Sequence, residues 1–219
     1  MHRCFMTGCD KNTQWMLPWF YKNYKKYNDT QLIVMDFGMT PDMVKWVEDS
    51  TAGLGKITGA PDNVAGWFLK PVSMLNTPSK QTCWIDTDIE VRGDMSGVFD
   101  HIVGERLAMA EDIPWSKRRK ETWHNSGVVA FEGRPQILHE WKKAVHDNPR
   151  VGDQEVLHSI LDPLRRVIYI ETLPMKYNFL RINYLDGFND KDALAIHWTG
   201  PKGKQRIEVL IHEEARTDK

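Results

Sequence analysis

Short apolar runs of strand length alternate with segments of helical period along almost the whole chain. That alternation commits the chain to a mostly parallel α/β sheet, because parallel neighbours need a crossover and a helix usually supplies it. Strands are expected at 3–7, 31–35, 81–86, 107–110, 127–131, 167–170 and 193–197. Helices are expected at 16–27, 66–75, 135–145 and 153–161. A further helix should run to about Glu48, opened by Thr40 as N-cap with Pro41 at its first position. Pro71 should kink the 66–75 helix, 51–65 reads as loop, and the polar end 213–219 should fray.

At 219 residues, 41% hydrophobic and 27% charged, the chain can bury the core of one large domain, here taken as 1–219. Lys+Arg 29 against Asp+Glu 30 leaves a net charge of −1, which argues against a general nucleic-acid binder. The basic clusters, 21–27 and Lys117-Arg-Arg-Lys120, read as a solvated helix face and a solvated loop; the second could instead meet an acidic acceptor or a membrane surface. Three cysteines (Cys4, Cys9, Cys83) without Cys-x-x-Cys spacing suggest a reducing compartment. No apolar run approaches the ~20 residues that span a bilayer, so a cytoplasmic protein without a transmembrane segment is expected. Nine tryptophans can mean a large core or flat surfaces for a ring-shaped ligand, and most are expected in the core. Trp141 fits its helix face, whereas Trp15, Trp67, Trp115, Trp123 and above all Trp198 are candidate walls of a site.

The most informative segment is Thr82-Cys-Trp-Ile-Asp86-Thr-Asp88. An apolar strand that stops on a carboxylate does so at the sheet edge, where open α/β sheets bind ligands. Acids at i and i+2 of extended chain point to one side, so Asp86 and Asp88 can converge on a cation such as Mg²⁺ or Mn²⁺. Phosphatases of the haloacid-dehalogenase type also use Asp-x-Asp, but in the first strand and with Thr or Val where this chain has Glu90. Downstream, Asn125-Ser-Gly127 sets an amide and a hydroxyl at a strand edge, and Asp153-Gln154 opens a helix. His197 closes a strand before Gly200 and the lysines Lys202 and Lys204. The imidazole can complete a metal site and a lysine can neutralise a diphosphate.

The order of these blocks resembles glycosyltransferase family 8, the relatives of glycogenin and galactinol synthase. The matching pieces are Phe5-Met-Thr-Gly8, Val34-Met-Asp36-Phe-Gly38-Met-Thr40, Trp84-Ile-Asp86-Thr-Asp88, Asn125-Ser-Gly127, Asp153-Gln154 and His197-Trp-Thr-Gly200. The resemblance implies a GT-A fold and a divalent metal, usually Mn²⁺, held by Asp86, Asp88 and His197 against a nucleotide diphosphate. It further implies Thr7, Gly8 and Asp10 beside base and ribose, Lys70 near donor phosphate or sugar, and Asn125, Asp153 and Gln154 on the donor sugar. The family places a lysine three residues after the block's Gly; that position is Gly203 here, so the expected diphosphate contact, with Gly200, falls to one of the flanking Lys202 and Lys204, Lys202 by preference. The implied activity is retaining transfer from a nucleotide-diphosphate sugar, a UDP-sugar by preference, to the hydroxyl of a glycan, protein or small-molecule acceptor. The alternatives are a non-catalytic nucleotide-sugar-binding module and, further off, a metal-dependent phosphatase.

Overall fold

The computed structural model describes residues 2–58, 66–147 and 152–217. In chain order the strands and helices are β1 (Arg3–Cys9), α1 (Leu17–Tyr27), β2 (Leu32–Asp36), α2 (Pro41–Asp49), β3 (Gly53–Gly55), α3 (Lys70–Leu75), β4 (Gln81–Ile85) and β5 (Ile89–Val91). Then come β6 (Leu107–Glu111), α4 (Ile113–Arg119), β7 (His124–Glu132), α5 (Gln136–Asp147), α6 (Asp153–Ser159) and α7 (Pro163–Tyr169). The chain ends with β8 (Ile170–Leu173), β9 (Phe179–Leu180), β10 (Ala195–His197) and α8 (Gly200–Thr217).

Seven strands form the main sheet in the order β3-β2-β1-β4-β7-β6-β8. Only β7 runs against its neighbours, so the sheet is mixed and mostly parallel, as the alternation requires. A small sheet of β5, β10 and β9 packs at the carboxyl side of β4. The strands alternate between two cores, as the two-residue period of a strand dictates. Phe5, Cys83, Ile85, Val128 and Ala130 face α1 residues Phe20 and Tyr24, while Cys4, Met6, Trp84, Val129 and Phe131 face α5 residues Leu138 and Trp141. Burial on both faces explains why these strands read as unbroken apolar runs.

Local chemistry set several boundaries. Thr40 accepts a hydrogen bond from the Met43 amide at 3.4 Å, the cap expected for α2. Pro71 does not kink a helix; it sits in the first turn of α3, where its missing N–H is unneeded, and a 3-10 turn over Gly66–Leu69 precedes it. The 51–65 loop is corrected in part: Gly53–Gly55 adds an edge strand to β2, and 59–65 lie outside the described residues. The strand expected at 167–170 is also corrected. Pro163–Tyr169 is helical, capped by Asp162 through the Arg165 amide at 2.9 Å, and the strand begins at Ile170. Val167 and Ile168 are exposed on that helix. The polar end stays helical through Thr217 rather than loosening from Glu213. Among the described residues no helix is long and apolar enough to cross a membrane.

His124, at the start of β7, lies 3.2 Å from Thr172 Oγ1. Burial, then the charges of Arg166 and His158, pushes its imidazole down to about 4. The unfolded chain therefore takes up a proton near pH 6.5 that the folded chain refuses until about 4. Stability is full above pH 6.5 and falls as pH drops through that window, by about 1–2 kcal/mol for a partly solvated ring. Urea midpoints of His124→Gln should lose this part of the acid sensitivity; an unchanged slope between pH 6.5 and 4.5 would refute it.

Candidate active site and metal centre

β4 delivers the Asp86 backbone to the sheet edge, where its amide donates to the Gly127 carbonyl at 2.9 Å. Asp86 and Asp88 do not converge by the pleat of an extended strand. They converge through a tight turn in which the Ile89 amide donates to the Asp86 carbonyl at 3.2 Å. The chain then reverses into β5, and antiparallel pairing sets His197 of β10 opposite Ile89. The Trp198 amide closes the corner on the Asp88 carbonyl at 3.0 Å. One ligand atom each from Asp86, Asp88 and His197 lies within 4.8 Å of the others. His197 Nε2 is 3.1 Å from Asp88 and 4.0 Å from Asp86.

The other ring nitrogen fixes the imidazole. Nδ1 lies 3.1 Å from both Asn125 Oδ1 and Asn178 Oδ1, and Asn178 Nδ2 donates to Asn125 Oδ1 at 2.9 Å. With Nδ1 engaged by side-chain carbonyls, Nε2 is turned toward the carboxylates, the orientation a metal-ligating histidine needs. Asn125 Nδ2 donates to Gln154 Oε1 at 2.8 Å, and Gln154 Nε2 to Asp112 Oδ2 at 3.2 Å. Gly127 is required here, because a Cβ would lie 2.3 Å from His197 Cε1. Gly127→Ala should push the ring off the carboxylates and cost about 1–3 kcal/mol in overpacking. Urea unfolding reads the stability and Mn²⁺-dependent thermal stabilisation reads the ring; a variant native in both would contradict the packing.

A buried lysine organises the opposite wall. Lys70 Nζ sits 3.0 Å from Asp86 and 3.0 Å from Asp153, with the Ser126 carbonyl at 3.2 Å. Burial alone would favour the neutral amine, but the Asp153 and Asp86 carboxylates reverse that and hold the ammonium protonated. Burial raises the Asp86 carboxyl against the pull of Lys70, and Trp84 Nε1 donates to it at 2.6 Å. Asp88 is held below its ordinary value, since His197 outweighs the burial that opposes it. His197 is raised in turn, its own burial outweighed by Asp88. Two carboxyls and an imidazole thus share one polar corner with their pKa values pushed in different directions, as expected of a functional cluster.

Two adjoining clefts meet at this corner, both lined by Trp67, Asp86, Asp88 and Asp153. The first continues past Gly8, Asp10, Phe37, Lys70, Thr87 and Lys204. The second runs along Asp112, Trp115, Asn125, Gln154, Ile182 and Gly200. Asp10 is anchored by the Thr13 and Asn12 amides, and Gly8 packs so closely that a Cβ would lie 2.5 Å from the Phe37 ring.

Most of the expected residues therefore come together: Gly8, Asp10, Lys70, Asp86, Asp88, Asn125, Asp153, Gln154, His197 and Gly200. Thr7 and Lys202 do not. Thr7 is fully buried in β1 and lines neither cleft. Lys202 is exposed in the first turn of α8, and Lys204, one residue beyond Gly203, lines the cleft in its place. Trp67 and Trp115 are walls, whereas Trp198 donates its indole N–H to Glu90 at 2.9 Å and lines neither cleft. The sequence reading missed Asn178, Asp112 and Thr87. Asp112 follows the apolar β6 and shows the same signal as Asp86; Asn178 carries none, because it reaches His197 only through the fold.

No protein-family model and no curated protein matches this sequence. Solved structures do. The galactosyltransferase LgtC, solved with donor and acceptor sugar analogs, is 15% identical over 90% of this chain and 87% of its own, with a TM-score of 0.68. The glycosyltransferase GlyE of Streptococcus pneumoniae TIGR4 is 15% identical, covers 91% of this chain and 55% of its own, and has a TM-score of 0.69. The bifunctional glycosyltransferase WbbM is 11% identical over 91% and 46%, with a TM-score of 0.65. The chain thus has the fold of these glycosyltransferases, the GT-A arrangement of a mostly parallel sheet flanked by helices.

Proposed function

We propose that residues 1–219 form a single glycosyltransferase domain of the family 8 type, which moves a sugar from a nucleotide diphosphate, by preference UDP, to an acceptor hydroxyl with retention. The observation that carries this reading is the convergence of Asp86, Asp88 and His197 at the carboxyl edge of a GT-A sheet, beside a lysine clamped between Asp86 and Asp153. The family 8 assignment and retention rest on the ordered motifs. Three buried free cysteines support a cytoplasmic setting.

The donor set suits a hard divalent cation: two carboxylates and an imidazole whose free nitrogen already faces them. Asp86, Asp88 and His197 would hold Mn²⁺ or Mg²⁺, which supplies neutralisation of the charge growing on the departing diphosphate. Lys204 would add a second cation on the same leaving group from α8, an electrostatic contribution aimed where charge develops. Gly8 and Asp10 would flank the nucleoside, with the Phe37 ring beneath. Asp153 and Gln154 would hold donor hydroxyls and orient the anomeric carbon toward the acceptor. Asn125 acts mainly as a positioning residue, since its amide already bridges Gln154, Asn178 and His197. Across the reaction, the bond from the anomeric carbon to the diphosphate breaks, the acceptor oxygen bonds that carbon, and the hydroxyl proton passes to the departing diphosphate.

A thermal-shift panel of UDP-, GDP- and ADP-sugars with and without Mn²⁺ tests the reading. One nucleotide sugar should raise the melting temperature by about 5–10 °C at a hundredfold excess over its Kd, and only with the metal. No shift from any of them in Mn²⁺ would defeat it. Release of the nucleotide diphosphate separates transfer from mere binding, and inorganic phosphate from a simple phosphomonoester would instead indicate the phosphatase.

A further inference from the structure

The donor side of the site leaves one strongly charged feature unused. The Lys117-Arg-Arg-Lys120 run is not a solvated loop: Lys117–Arg119 form the last turn of α4 and Lys120 its left-handed C-cap, and the first turn is capped by Asp112 through the Trp115 amide at 3.1 Å. Asp112 and Trp115 both line the second cleft, so this short helix starts at the cleft wall and its basic turn follows within a few residues. The Arg119 guanidinium stacks 4.9 Å over the Trp115 ring and that of Arg118 lies 5.8 Å over it. Lys117 is paired with Asp186 at 3.4 Å. Among the described residues Arg118, Arg119 and Lys120 form no ion pair, and all three are exposed. The Trp115 indole N–H is shielded from solvent and has no acceptor.

A helix C-terminus favours cations in general. That does not explain why two guanidiniums rest on the indole that lines the cleft while their N–H forks stay unpaired. Stacking orders the arginines without using those forks, which suits them to an incoming oxyanion. The cleft interior sets where the anion must sit. Asp86, Asp88, Asp112, Asp153 and Glu155 all line the second cleft, so any anion deep within it other than the diphosphate that a metal would hold is repelled. A ligand matched to both regions has a neutral hydroxylated part inside and an anionic group at the rim.

We propose that the acceptor carries a phosphoryl group, bound at the rim by Arg118 and Arg119 while its sugar packs against Trp115. The proposal rests on the glycosyltransferase reading for the word acceptor, but the anion site stands on its own geometry. A soluble sugar phosphate and a phospholipid headgroup share the required chemistry.

Equilibrium binding in EDTA distinguishes the two readings and the two sources. The probes are glucose 6-phosphate against glucose, and phosphatidylglycerol vesicles against phosphatidylcholine vesicles. The native chain should prefer at least one phosphoanionic probe over its neutral counterpart. Arg118→Gln with Arg119→Gln should cut that preference by about tenfold or more, and the double Lys variant should recover part of it. Preference for the sugar phosphate places the phosphate on a soluble acceptor; preference confined to vesicles places it in a lipid. Either one supports the site. No phosphoanionic preference, or a preference that survives in the Gln variant, overturns it. Phosphoanion binding lost in the Gln variant, with no nucleotide sugar turned over, would keep the anion site and count against the glycosyltransferase reading.

Discussion

Asp88→Asn is expected to abolish Mn²⁺-dependent stabilisation by nucleotide sugar and to lower kcat/KM for donor turnover by about a thousandfold or more, some 4 kcal/mol of transition-state stabilisation. The substitution keeps the shape of the side chain and removes only the charge. The turn that presents it is made by backbone, through the Ile89 amide on the Asp86 carbonyl and the Trp198 amide on the Asp88 carbonyl, so the corner should survive. His197 should also stay in place, because Asn125 and Asn178 grip its other nitrogen. What changes is one of the three proposed ligands, from a carboxylate that His197 holds below its ordinary value to a neutral amide. Melting curves in EDTA should therefore nearly superimpose on those of the native chain, while curves in Mn²⁺ and nucleotide sugar separate. A variant that retains the metal-dependent shift and turns over donor within tenfold of native would remove Asp88 from the metal centre.

The sheet was legible because its strands are buried on both faces and stand as apolar runs bounded by turn residues, as at Gln81–Ile85. The amphipathic α5 was equally plain, with Ile137, Leu138, Trp141 and Val145 on its buried side. The errors have local causes. Val167 and Ile168 are β-branched and apolar, yet Asp162 and Pro163 start a helix there, and capping chemistry prevailed over composition. The edge strand at Gly53–Gly55 has almost no side chains to announce it and exists through backbone pairing with β2. At the site, Asp86, Asp88 and His197 showed in the sequence because acids and an imidazole ending apolar strands are chemically conspicuous. The sequence leaves Lys202 and Lys204 open, with Lys202 preferred, because the residue facing the cleft is decided by the phase of α8. That phase is fixed at Gly203, where a Cβ would lie 1.9 Å from the Trp198 carbonyl oxygen. Asn178 stands far from His197 along the chain and meets it only through the parallel pairing of β9 with β10.

Lys70→Met carries the largest expected effect on stability, about 3–5 kcal/mol at pH 8 in EDTA. The ammonium lies between Asp86 and Asp153, and its side chain is only 5% exposed. Methionine fills the space but strands two carboxylates in a poorly solvated pocket, with the Trp84 indole and the Ser126 hydroxyl as their remaining donors. The pH dependence follows from the direction of each shift. The Lys70 ammonium is raised above its ordinary 10.5, so its own contribution is complete throughout pH 5–8 and gives the native chain no slope there. The slope belongs to the variant: as pH falls, one stranded carboxyl takes up a proton, the repulsion ends, and the gap between native and variant narrows. Urea unfolding of both chains at pH 8 and pH 5 measures that gap. Adding Asp153→Asn to Lys70→Met should recover part of the loss at pH 8, since the two residues share one contact and their effects cannot add. A gap that stays constant with pH, or a double variant weaker than Lys70→Met by the full effect of Asp153→Asn, would mean that the lysine contributes packing rather than charge. The same clamp ties the turn that presents Asp86 to the first residue of α6, and so joins the proposed metal side of the cleft to its proposed sugar side.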